Sequence, residues 1–93
     1  QELKQLRMLI LSNLNIDNSV TPILKSMPVS ILSINATDID DSGLMKIAEM
    51  KNLQAISMNQ CKNISSKGRS AFLKKTKNKV RIFSLSDNPV SFE

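Results

Sequence analysis

Apolar residues return along this chain at short, fixed intervals. An anchor (Leu6, Val29, Leu53, Val80) is followed three positions on by Leu9, Leu32, Ile56 and Phe83. Two further on come Leu11, Ile34, Met58 and Leu85. A later apolar residue closes each unit: Ile16, Ile39, Ile64 and Val90. The anchors are 23, 24 and 27 residues apart, so the chain repeats itself. A period of this length builds one supersecondary unit per repeat. The triplets 9–11, 32–34, 56–58 and 83–85 alternate in a way that suits short strands buried on one face.

Each of the first three strands is followed by a helix signal. Asp17, Asp40 and Ser65 are residues that cap helix starts. The helices expected are 18–27, 40–50 and 65–75. In the second, Leu44, Ile47, Ala48 and Met50 form one apolar stripe, and Asp41 favours the helix dipole. In the third, Phe72 and Leu73 face inward and lysines close the end. Pro22 fits a first turn, which lacks intrahelical N–H partners, and Pro28 stops the first helix. Strands alternating with helices through tight joints predict a parallel sheet.

With the pattern L-x-x-L-x-L-x-x-(N/C) in view, the chain resembles the leucine-rich repeat family. The third unit, with Cys61, Ile64, Ser65 and Gly68, is similar to the cysteine-containing subtype. The fourth has Asn88 at the ladder position. That position is Leu14 in the first unit and Thr37 in the second, and the third carries one extra residue before Ile64. Gly43 and Gly68 match each other, whereas the first unit has Val20. The resemblance covers residues 3–90. It implies an α/β solenoid of about three and a half strand–helix units, with a parallel sheet on its concave face. It also implies an inward-pointing, structural Cys61 and binding on the strands. The subtype occurs in substrate-recognition repeats of ubiquitin-ligase receptors, and bacterial effectors use such repeats; both are fold-level analogies.

Ninety-three residues allow one domain. Both ends have apolar residues in units without a neighbour: Leu3, Leu6 and Met8, then Val90 and Phe92. The expectation is a fragment or small module of a larger protein, able to self-associate through unsealed ends. No run of about 18 apolar residues exists to cross a membrane. One cysteine gives no internal disulfide and favours an intracellular setting. The triplets Asn35-Ala36-Thr37 and Asn63-Ile64-Ser65 match the glycosylation sequon, as chance allows in an Asn- and Ser-rich chain.

Chemistry finds little to work with. The chain has no histidine, hence neither the usual general base nor the commonest metal ligand. Asp38, Asp40 and Asp41 suit a helix start better than a calcium loop, which needs more oxygens and a glycine turn. Ser33, Ser57 and Ser84 form a row, not a triad. A non-catalytic protein is expected, with no cofactor and no metal.

Charge adds an asymmetry. Lys62, Lys67, Arg69, Lys74, Lys75, Lys77, Lys79 and Arg81 are eight basic residues in a window without an acid. The rest has five basic and eight acidic side chains. A solvated outer helix face is the expected reading of the window. Three Phe, no Tyr and no Trp offer little for base stacking, so nucleic acid is the less expected partner. Another protein, bound on the strand face, is the expected one. Alternation puts Met8, Ile31, Ala55 and Ile82 in one outward column. Ile10, Ser33, Ser57 and Ser84 form the next, and Ser12, Asn35, Asn59 and Ser86 a third. The interface expected is Met8, Ile10, Ile31, Ser33, Asn35, Ala55, Ser57, Asn59, Ile82 and Ser84. The rival role is a structural or accessory subunit whose strand face is idle.

Overall fold

The computed structural model describes residues 7–84. Expectations at Leu3, Leu6, Leu85, Ser86, Asn88, Val90 and Phe92 lie outside the described residues. The elements alternate as the pattern predicts: β1 (Met8–Ile10), a 3-10 turn (Asn18–Val20), α1 (Thr21–Lys25), β2 (Ile31–Ser33), α2 (Asp41–Ile47), β3 (Ala55–Ser57), α3 (Ser66–Lys75) and β4 (Arg81–Phe83). The fold is α/β. Its four strands form one parallel sheet in chain order. The helices pack α1 on α2 and α2 on α3.

The core lies between the two layers. Leu32, Ile34, Ile56 and Met58 come from the sheet side, and Leu24, Leu44, Ile47 and Phe72 from the helices; all are buried. Leu9 and Leu11 pack against this cluster but are only partly buried. After each of the first three strands the chain turns through a left-handed residue, Asn13, Ala36 and Gln60, with φ of 62°, 58° and 60°. Cys61 is buried, as expected, and its thiol donates to the Ile34 carbonyl of the preceding unit at 3.0 Å. Thr37, one unit earlier, donates its hydroxyl to the same carbonyl at 2.8 Å.

The helix starts are tied from unit to unit. Asp40 caps α2 by accepting from Gly43 N–H at 3.1 Å, and Ser65 caps α3 by accepting from Gly68 N–H at 3.0 Å. Each cap is also held by the preceding unit. Asn18 Nδ2 donates to Asp40 Oδ1 at 2.6 Å, and Asp40 N–H donates to Asn18 Oδ1 at 3.1 Å. Asp41 accepts from Ser65 N–H at 2.8 Å and from its hydroxyl at 2.6 Å. The residue after one cap therefore clamps the next cap.

One expectation is corrected. Ile56 pairs with Ile82 and Ser57 with Phe83, so β4 sits one position earlier than the anchor Val80 implied. The cause is the end of α3. Lys77 and Asn78 both take left-handed conformations, with φ of 55° and 59°. Lys77 N–H donates to Lys74 O at 3.1 Å and Asn78 N–H to Leu73 O at 2.9 Å, the paired bonds of a Schellman ending. Ile82 therefore packs against the core and Phe83 falls in the outward column. Ile82→Ala should lower stability by about 1–2 kcal/mol, and Phe83→Ala by less, although phenylalanine is larger. Urea unfolding of the two variants tests this; the opposite order would refute the register.

The helix ends share an ion cluster. Glu49 accepts from Lys25 at 2.7 Å and from Lys75 at 3.0 Å, joining all three helices. Lys25 and then Lys75, as hydrogen-bond donors and as charges, hold the Glu49 carboxyl down at about 2, against an ordinary 4.5. A depressed carboxyl stabilises the fold above its unfolded value and loses that contribution as pH falls through the folded one. The wild type should thus lose stability between about pH 4.5 and 2 more steeply than Glu49→Gln. The group is exposed, so 1 M salt should shrink the difference. Parallel acid titrations of both proteins by circular dichroism check it.

Candidate interaction face

The sheet face turned away from the helices follows from the strand register. Met8, Ile31, Ala55 and Arg81 lie side by side in one row. Ile10, Ser33, Ser57 and Phe83 form the next, on strands about 4.8 Å apart. Met8 and Ile10 are 54% and 50% exposed, Ile31 and Ala55 are half-buried, and Arg81 is exposed. None of these four apolar residues belongs to the core cluster. A continuous apolar strip therefore faces outward across three strands.

The polar row behaves differently from what was expected of it. Ser33, Asn35 and Ser57 are at most 2% exposed. Ser33 and Ser12 share a hydroxyl–hydroxyl bond of 2.7 Å. Asn35 Oδ1 accepts from the Ser57 hydroxyl at 2.8 Å and from Asn59 N–H at 2.6 Å. Asn59 Nδ2 donates to the exposed Ser84 at 2.9 Å. Small side chains on closely spaced strands cover one another, and their polar atoms meet across the gap. Ser33, Asn35 and Ser57 thus form a ladder within the sheet, with no surface left for a partner. Asn59 and Ser84 continue it to the accessible edge. Of the ten residues expected at the interface, Ile82 points to the core and these three are enclosed. Arg81 and Phe83 take the vacated places. Their only sequence signal is the 26-residue step from Ala55 to Arg81, hidden because Val80, Ile82, Phe83 and Leu85 fit either register.

Among the described residues, no three Cys, Asp or Glu side chains come together as a metal site requires. The Asp40 carboxyl is held below its ordinary value, chiefly by the Asn18 side chain and then by the Gly43 N–H. Asp17 is lowered likewise by Ser19. Both shifts belong to helix caps. Of the two sequons, Asn35 is buried in the ladder, and Asn63 is exposed with its amide reaching Asp38 O at 3.4 Å. No helix among the described residues is long and apolar enough to cross a membrane. No protein-family model matches the chain, and no curated protein matches it significantly.

Proposed function

We propose that the chain is a leucine-rich-repeat solenoid and a non-catalytic recognition module that binds another protein on its strand face. The observation carrying this reading is the apolar strip of Met8, Ile10, Ile31 and Ala55, outside the core and aligned across adjacent strands. Single exposed apolar residues are ordinary, whereas an aligned row of them has the make-up of an apolar interface centre. The parallel strands, the first three each succeeded by a turn and helix at similar spacing, support the solenoid reading. Ile31→Asp should weaken capture of the partner from a lysate of the source cells at least about tenfold, with little loss of fold. Undiminished capture by Ile31→Asp, with the melting curve unchanged, would sink the proposal.

A further inference from the structure

The two ends of the described chain differ in surface chemistry. Its large exposed apolar residues, Met8, Ile10, Leu14 and Ile23, all lie in the first unit. The cations concentrate in the third unit, around α3. Lys62, Lys67, Arg69, Lys74, Lys77 and Lys79 are all exposed, as is Arg81. No acid occurs between Glu49 and Asp87. Glu49 is already engaged by Lys25 and by Lys75, so it does not serve the others. Among the described residues, none of these seven cations takes part in an ion pair. Like charges this dense repel one another, and an anionic polymer would relieve that repulsion.

We infer that the outer face of α3, with the loops at its two ends, is a docking surface for the phosphodiester backbone of a nucleic-acid duplex, read without regard to sequence. Lys67 and Lys74 are two turns apart and stand on one side of α3, with the small Ser70 and Ala71 exposed between them. Nothing bulky on that side keeps a polyanion at a distance. Counterion release is strongest for the polymer of highest charge density, and a duplex presents one charge per about 1.7 Å of axis. A bilayer is matched less well. The basic region has no large exposed apolar residue to insert, and such residues sit in the first unit instead. A single strand is matched less well too. Phe72, the aromatic residue of α3, is fully buried and the chain has no Tyr or Trp, so this face offers bases no aromatic ring to stack on. The same lack leaves backbone contact with a duplex untouched.

The test is fluorescence anisotropy of a 20-base-pair duplex titrated with the chain between 50 and 200 mM salt. Binding should fall steeply with salt, with a log–log slope of about −0.9 for each phosphate contacted. The triple variant Lys67→Gln/Arg69→Gln/Lys74→Gln should flatten that slope by about 3 and weaken binding at 50 mM salt by more than about tenfold. All three side chains are exposed, and an unchanged melting curve will show that the fold is intact. Ile31→Asp should bind the duplex as the wild type does, which separates this surface from the strand face. Three results would overturn the inference. One is equal binding by the triple variant. The second is absence of binding at 50 mM salt. The third is tighter association with vesicles of phosphatidylcholine and 30% phosphatidylserine, or with a single strand of equal length.

Discussion

Asn35→Ala is expected to lower stability by about 2–4 kcal/mol, more than any exposed polar substitution on the same face. Asn35 is 2% exposed, and its Oδ1 serves two donors of the next unit, the Ser57 hydroxyl and the Asn59 backbone N–H. Alanine removes the acceptor and leaves both donors inside the sheet. Each of the two lost bonds contributes about 0.5–1.5 kcal/mol net, and the space left by the enclosed amide adds to the loss, which sets the expected range. A domain of this size is stable by about 5–14 kcal/mol, so the loss is a substantial fraction. Asn59→Ala is the comparison. Asn59 is half-exposed and its side chain donates to an exposed hydroxyl, so the loss there should stay below about 1 kcal/mol. Urea midpoints at constant m-value measure both. If the two variants were equally stable, Asn35 would be an ordinary surface residue and the ladder would not hold the units together.

Gly68→Ala should cost about 1–2 kcal/mol in the wild type and become a gain of about 0.5–1 kcal/mol when Asp41 is also alanine. In an unobstructed helix, alanine is the better residue by about 1 kcal/mol. Here a Cβ at position 68 would stand 2.8 Å from Asp41 Oδ2, with the rest of that carboxylate closer still. The carboxylate can swing away only by giving up both bonds to Ser65. Without Asp41 the obstruction and those bonds are both gone, and ordinary propensity returns. A double-mutant cycle reads this as a coupling of about 2 kcal/mol. Gly43 sits in the matching place one unit earlier. There a Cβ would meet Asn18 Cγ at 2.7 Å and the buried Ile39 Cγ2 at 3.0 Å. Because Ile39 cannot retreat, Gly43→Ala should stay unfavourable even beside Asn18→Ala. Additive effects at Gly68 and Asp41 would refute the clamp.

The sequence pattern carried the element order, the parallel sheet, the caps Asp40 and Ser65 and the buried positions Leu32, Ile34, Ile56 and Met58. These follow from period and local chemistry, which one chain displays without its neighbours. The register of β4 escaped because a Schellman ending on Lys77 and Asn78 uses no glycine, the residue that usually marks it. With Val80, Ile82, Phe83 and Leu85 spaced as they are, hydrophobicity alone cannot choose between registers. The candidate face was legible in its apolar half, Met8, Ile10, Ile31 and Ala55. Its polar half was misread. Alternation tells which side of the strand Ser33, Asn35 and Ser57 occupy, yet their burial depends on bonds between strands. The glycine match at 43 and 68 was visible, but its reason lies in the preceding unit. Val20, the first unit's counterpart, has no such clamp from an earlier unit among the described residues.

The clamps also have a direction. Asn18 supports Asp40, and Asp41 supports Ser65; in both, the earlier unit props the later one. Damage to the first unit should therefore loosen the start of α2, whereas damage around Ser65 leaves the Asn18–Asp40 clamp whole. Synthesis runs the same way. Asn18 leaves the ribosome before Asp40, and Asp41 before Ser65, so in each clamp the supporting side chain is synthesised ahead of the cap that it holds.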